Sequence, residues 1–323
     1  MTKVLCSLVL LFALVVGANS IAQSYPTRTV RVLVPYAPGG GSDILGRMLS
    51  PKVSEELGQQ FVIDNRPGGN ATIGTQMMAR AAPDGYTIGV VDNAFTTNPS
   101  LFRNLPYDAL KDFAPVTVMA SSPFILLVHP SLPVKTAKEL VALAKARPGQ
   151  LTFASAGGGT GSHLSMELFR VVTGISLIHV PYKGAGPAVT GILSGEASIF
   201  FALPAAMTQH VKAGKARALA VTDARRYPGL PDVPTLVEAG IQGVDANPFW
   251  GVVAPAGTPA AIIDRLHVAY AKHINAEDMR KRLVGMAFVP VANTPSEFAA
   301  FIKADAAKWD KVIQSAGIQA QNL

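Results

Sequence analysis

The hydrophobic positions of this chain change period repeatedly. Residues 29–34 are valine-rich and weakly alternating, which predicts a strand. Beyond a glycine cluster, Ile44, Leu45, Met48, Leu49, Val53 and Leu57 recur at helical spacing, with Pro51 placed to kink or divide that helix. A strand at 61–64, a turn at 66–69, a helix near 71–82, a turn at 83–85 and a strand at 87–91 follow. The rhythm resumes with strands at 125–128, 152–154, 177–180, 198–201 and 218–221, and helices at 137–145, 164–172 and 187–193. After an apolar run at 251–254 the pattern is helical, over 259–273, 277–284 and 295–316. Strands alternating with helices predict parallel sheets covered on both faces. The expected fold class is α/β, in two lobes, each with a central, mainly parallel sheet flanked by helices. Lobe one is expected over 25–123 and again over 248–323, with the C-terminal helices packed back on it; lobe two spans 124–247.

Each lobe has one strand–glycine–helix junction: VPYAPGGGSD from Val34 to Asp43, and FASAGGGTGSH from Phe153 to His163. Backbone N–H groups at a helix start have no partner within the helix, and glycine lets a ligand approach them closely. The helix dipole favours an anion there. Ser42, Ser155, Thr160 and Ser162 add hydroxyls, with Ser42 a candidate N-cap and Asp43 suited to the first turn. Neither loop contains Lys or Arg, so neutral donors holding a carboxylate or similar small anion are expected. Neither loop matches a nucleotide-binding fingerprint: the Gly-Lys-Ser/Thr ending is absent, and Gly157, Gly159 and Gly161 give G-x-G-x-G.

Composition narrows the class further. In 323 residues, 49% are hydrophobic and 15% charged, as in a folded globular protein. Residues 1–22 read as a secretory signal peptide: Lys3 precedes an apolar run, and Ser20-Ile21-Ala22 suits cleavage after Ala22. The single cysteine, Cys6, lies in that leader, so the exported chain would contain none. The expected location is the periplasm, in soluble form. The net charge is +7, but the basic residues are dispersed, with only short clusters at Arg225-Arg226 and Arg280-Lys281-Arg282. Nothing resembles a nucleic-acid-binding stripe, and no nucleic-acid partner is expected.

Enzyme readings find little support. No G-x-S-x-G elbow surrounds Ser155 or Ser162, so an exported serine hydrolase is the weakest alternative. His163 reads as a structural hydrogen bonder rather than a base. The six histidines show no metal-binding spacing, and no cofactor or metal is expected. Tyr182, in the rim stretch HVPYKG, could pack on a ligand, Lys183 is a cation near the cleft, and Trp250 is a wall or a core residue.

Eight stretches carry a resemblance: VPYAPGGGSD, IDNRPGGNATIG, APDGYTIG, LPYDALKDFAPV, ASAGGGTGSHLSMELF, HVPYKGAGPAV, PDVPTLVEAG and APAGTP. In this order, over about 25–318, the chain resembles the substrate-binding proteins of tripartite tricarboxylate transporters, the Bordetella-type uptake receptors. The resemblance implies a periplasmic-binding-protein-like fold with a ligand cleft between two lobes, and no enzymatic activity. It implies a small carboxylate or amino-acid-like solute, held largely by backbone amides and hydroxyls, and transient docking on the membrane subunits of a secondary transporter. A solute-sensing subunit for a membrane signalling protein is the alternative. Carried over by motif, the lobe-one contacts are Tyr36, Pro38, Gly39, Gly40, Gly41, Ser42, Asp43, Asn93 and Ala94. Those of lobe two are Ser155, Gly157, Gly158, Gly159, Thr160, Gly161, Ser162 and Ala202, beside the rim residue Tyr182. The chain departs from the family pattern at Ala37, where proline is usual, and at Ala202, where an acidic residue is common.

Overall fold

The structure, a computed structural model, describes residues 25–322; the expected leader at 1–22 lies outside them. The chain begins β1 (Val30–Val34), α1 (Gly41–Leu57), β2 (Phe61–Asn65), α2 (Thr72–Ala79), β3 (Thr87–Asp92), α3 (Asn93–Leu101) and β4 (Phe113–Ser121). It continues β5 (Ile125–Val128), α4 (Ala137–Ala146), β6 (Thr152–Ser155), α5 (Gly161–Thr173), β7 (Ile178–Pro181), α6 (Ala185–Ser194), β8 (Ile199–Ala202), α7 (Pro204–Lys212) and β9 (Arg217–Val221). It ends β10 (Phe249–Pro255), α8 (Ala260–Asn275), α9 (Glu277–Gly285), β11 (Val289–Pro290) and α10 (Pro295–Ser315).

The strands form two sheets, in the orders β11-β4-β10-β3-β1-β2 and β7-β6-β8-β5-β9. Both are mixed, not mainly parallel. In the first, β1 runs parallel to β2 and β3, whereas β10 is antiparallel to β3 and β4, and β11 to β4. In the second, β6 is parallel to β7 and β8, and β5 is antiparallel to β8 and β9. The reversal has a simple cause: β10 enters the first sheet from the far end after the chain has crossed the second. Such a crossing leaves no helical crossover to impose a parallel direction.

Local chemistry fixes the ends that matter. The β-branched run VRVLV is almost wholly buried as β1. Helix α1 passes unbroken through Pro51, which lies on its exposed side, and stops at the left-handed Gly58. Helix α5 stops in the same way at Gly174. Helix α10 opens with a capping box, in which the Thr294 side chain accepts from Glu297 N–H and the Glu297 carboxylate accepts from Thr294 N–H.

Helix α10 does more than pack on the first sheet. Phe298 and Ile302 join the buried cluster of Phe95, Phe113 and Phe249, while Trp309, Val312 and Ile313 join that of Phe124, Phe153 and Phe169 in the second unit. Among the described residues no helix is long and apolar enough to cross a membrane.

Candidate functional site

A cavity of about 350 Å³ opens where residues of both sheets face each other. From the first sheet come Tyr36, Asn70, Asp92, Asn93, Ala94, Thr97 and Trp250; from the second come Phe124, Ala156, the Gly159–Ser162 turn, Val189, Phe200, Phe201, Ala202 and the start of α7. The lining is largely apolar. It contains no Lys, Arg or His.

The second glycine loop reaches this cavity through its last residues. Helix α5 starts at Gly161 behind an extended Thr160, with no side-chain cap on its first turn. Gly161 approaches the wall itself: a Cβ there would stand 3.3 Å from the Phe124 ring. The rest of the loop is tied inward. Ser162 Oγ accepts from Ala156 N–H (3.0 Å), which holds the two ends of the loop together. His163 Nδ1 accepts from Gly159 N–H (3.0 Å), and its ring stacks on His179 with centroids 4.0 Å apart. Burial, then His179 and Arg170, hold the His163 pKa down to about 4, so the ring is neutral, as its acceptor role requires. Glu167 lies 3.6 Å from His163 Nε2, but Arg170 clamps that carboxylate through both oxygens at 2.7 Å, and its charge opposes protonation of the ring.

The first glycine loop is arranged differently. Pro38, Gly39 and Gly40 are exposed and lie outside the cavity lining. Gly41 is required by Trp250: a Cβ there would stand 2.8 Å from the indole, so the third glycine makes room for a cavity wall. The extended Gly40 precedes the helix, and Ser42 lies buried inside the first turn rather than capping it. Asp43 turns back into its own loop. It accepts from Gly39 N–H (3.0 Å), Asn65 Nδ2 (2.9 Å) and Arg47 Nε (2.9 Å). Although burial opposes it, these partners, Arg47 foremost, keep the Asp43 carboxyl below the usual range.

Of the residues expected to bind ligand, the structure brings Tyr36, Asn93, Ala94, Gly159, Thr160, Gly161, Ser162 and Ala202 to one cavity. It places the others elsewhere, each for a physical reason. Ser155 is fully buried, with Oγ shared between His179 Nε2 (2.6 Å) and Gly157 N–H (3.1 Å). Gly157 turns back under Tyr182 O, and Gly158 faces a separate groove beside His163 and His179. Tyr182 lies over Gly191 of α6, packed into the second unit's core. Lys183 is exposed and outside the lining. Pro38, Gly39 and Gly40 are exposed, Gly41 backs the Trp250 wall, and Ser42 and Asp43 are buried in the first turn of α1, outside the lining.

The sequence reading overlooks Asp92. It ends β3, and its side chain accepts from Ala94 N–H (3.0 Å), capping α3, and from the Tyr36 hydroxyl (2.8 Å). Burial pushes its pKa up to about 6, against hydrogen bonds from Tyr36, Ala94 and Ser42. Burial and the Asp92 charge push the Tyr36 hydroxyl well above its ordinary value, so it remains a donor. The available signal is positional: an acidic residue closing a strand and opening a helix.

Residues 45–318 match the tripartite tricarboxylate transporter family receptor, TctC. The chain belongs to that family. This receptor is 35% identical to Protein BugT of Bordetella pertussis over 309 residues, spanning 94% of this chain and 93% of that protein. Its structure is similar to that of R. palustris Rpa4515 with adipate, at 35% identity and a TM-score of 0.78, covering 92% of this chain and 100% of that one. It is also similar to MatC (Rpa3494) from Rhodopseudomonas palustris with bound malate, at 30% identity and a TM-score of 0.74, covering 90% and 100%. The fold is thus the two-lobed, periplasmic-binding-protein-like α/β architecture of solute-binding receptors.

Proposed function

We propose that this receptor captures a small carboxylated solute in the cavity between its lobes, outside the cytoplasm, and delivers it by transient docking to the membrane subunits of a secondary transporter. Lobe one is assigned to 25–123 with 248–323, and lobe two to 124–247. The observation that carries the reading is the uncapped start of α5, which opens on a cavity lined by residues of both sheets.

The carboxylate meets the first-turn amides of α5 and the Ser162 hydroxyl, while Thr160 keeps its proton on Gly157 O (2.7 Å) and shapes the turn. Both glycine loops are expected to meet the carboxylate; this reading keeps the lobe-two loop, whose Gly159–Ser162 turn lines the cavity. The apolar body of the solute lies against Phe124, Val189, Phe201 and Trp250. At a water's share of about 30 Å³, the cavity holds roughly ten non-hydrogen atoms, the size of a four- to six-carbon acid. The relatives with adipate and malate bind solutes of this size.

The magnitudes are adequate without a formal cation. Micromolar affinity needs about 8 kcal/mol. Hydrogen bonds to a charged group contribute roughly 1.5–3 kcal/mol each, and a helix start adds up to about 2 kcal/mol when partly buried. Apolar burial supplies more, against ordering costs. Turnover is not expected: Ser155 Oγ is saturated by its neighbours and shielded from the cavity.

The test is a thermal-shift panel of aliphatic and aromatic carboxylates, with neutral sugars as controls. A binder at a hundredfold excess over Kd raises stability by about 2.7 kcal/mol. Ala206, exposed on the cavity-facing start of α7, is replaced by tryptophan to fill the space without entering the core. Ala206→Trp should abolish the shift while keeping the unliganded melting temperature. Carboxylate shifts that persist in the variant would put the site elsewhere; silence from every carboxylate would end the reading.

A further inference from the structure

Among the described residues, no Lys, Arg or His lines the cavity, and the only acidic group that does is the Asp92 carboxylate. Its known partners are all donors. Tyr36 and Ala94 both donate to Oδ1, at 2.8 and 3.0 Å, and Ser42 adds a hydroxyl. Donors of this kind favour the ionised form. The Arg47 guanidinium, on the helix that carries Ser42, is engaged by Asp43 and Asn65. The tyrosines Tyr36 and Tyr107 are both raised in part by the Asp92 charge, and neither offers it a positive partner. A buried charge with no opposite charge in its surroundings is costly, and a solute can supply the missing one.

We propose that Asp92 is the counter-charge for a cationic nitrogen of the solute, so that this receptor selects amino-carboxylates over dicarboxylates. The proposal rests on the reading of the cavity as a carboxylate site. The solute carboxylate lies at the start of α5 in the second lobe, and its ammonium group lies beside Asp92 at the start of α3 in the first. One zwitterion then makes a polar contact with each lobe, with its apolar middle against the aromatic wall. A dicarboxylate would bring a second negative charge to Asp92 with nothing nearby to offset it, which discriminates by repulsion as well as attraction. The two classes differ in the sign of their pH dependence. An ammonium group needs Asp92 ionised, and burial holds that group near pH 6, so affinity for an amino-carboxylate rises from pH 5.5 to 7.5. A dicarboxylate could share the site only with a protonated Asp92, so its affinity would fall over the same interval.

The experiment is isothermal titration of the protein with matched monoacid, amino acid and diacid on several skeletons: butanoate, 4-aminobutanoate and succinate; hexanoate, 6-aminohexanoate and adipate; phenylpropanoate, phenylalanine and benzylmalonate. Each is measured at about pH 5.5 and about pH 7.5. On every skeleton that binds, the amino acid should be tightest at the higher pH, by about tenfold over the diacid, and should weaken at the lower pH. Asp92→Asn keeps an acceptor at the N-cap of α3 and so should fold, as a thermal melt would verify; it should erase the preference. Tightest binding by a diacid or monoacid at the higher pH would overturn the proposal on the unaltered protein alone. So would an amino-acid preference that survives in Asp92→Asn. If no compound on any skeleton binds, the carboxylate reading of the cavity fails together with this one, a result distinct from a preference for the diacid.

Discussion

His163 gives the glycine loop its shape and makes the fold sensitive to acid. Its neutral Nδ1 accepts from Gly159 N–H, in a loop that carries the cavity's polar end. The ring's pKa is held near 4 in the folded state, below the ordinary 6.5. The folded protein therefore binds fewer protons than the unfolded chain between these values. Stability is unaffected by this group above pH 6.5 and is lost as pH falls through the window towards 4, by about 3 kcal/mol in full. His179, whose pKa burial and then Arg170 also lower, adds to the same slope. Urea melts at about pH 7 and pH 4.5 should show this loss. In His163→Asn, whose amide oxygen can take the Gly159 proton without titrating, the loss should be smaller. Equal losses in both proteins would remove His163 as its source. Residues of this kind mark the limit of a sequence reading. A glycine-rich strand–helix junction is legible from the sequence, which offers two such loops as ligand contacts; the structure brings only the Gly159–Ser162 turn to the cavity lining. Which glycine faces the cavity and which serves a tryptophan is not legible, because it depends on partners about 210 residues away in the chain, as Gly41 and Trp250 show.

At the scale of the element, α10 holds α3 in place and so positions one side of the cavity. Asp305, buried on α10, accepts from Thr96 Oγ1 of α3 (2.7 Å) and from Trp309 Nε1 (3.1 Å), and pairs with Lys308 (2.7 Å). Asp305→Ala leaves the buried Trp309 indole N–H without its acceptor and the Thr96 hydroxyl with Asn93 O alone (3.0 Å), and should cost about 2–3 kcal/mol in a urea melt. Asp305→Asn keeps an acceptor and should cost less; equal costs would argue for packing rather than hydrogen bonding. The same helix shows what hydrophobic periodicity can reveal. A helical pattern is read over 295–316, and the observed bounds differ from it by one residue. Strand β4 and helices α3 and α7 escape the same reading. Pro115 and Pro99 interrupt the first two, and α3 has no polar stripe because Phe95, Thr96, Thr97, Asn98 and Leu101 are all buried between its neighbours. Tertiary contacts override local pattern there, and α3 carries three of the cavity's residues, Asn93, Ala94 and Thr97.

For the whole molecule, the chain crosses between the sheets at residues 122–124 and again at 247–249, and the two crossings are joined. Ser122 N–H donates to Pro248 O (3.0 Å), and Thr222 Oγ1 links Phe124 N–H (2.8 Å) to Asn247 Oδ1 (2.6 Å). Phe124 and Pro248 also line the cavity, so the solute proposed above would touch the crossing directly. Closure is expected to turn about these two short, adjacent segments. Helix α10 opposes free rotation about them, because Phe298 and Ile302 are buried with the first sheet and Trp309, Val312 and Ile313 with the second. Closure should therefore be limited in amplitude, with α10 as the brake. Small-angle scattering should show a radius of gyration that falls on saturation with a binding carboxylate and does not fall in Ala206→Trp. Trp309→Ala removes the largest contact of α10 with the second unit, at a cost of about 3–5 kcal/mol. The unliganded variant should be more extended than the parent, and its contraction on ligand binding should be larger. A contraction equal to the parent's would mean that the paired crossings alone set the range of motion, and that α10 contributes stability without governing closure.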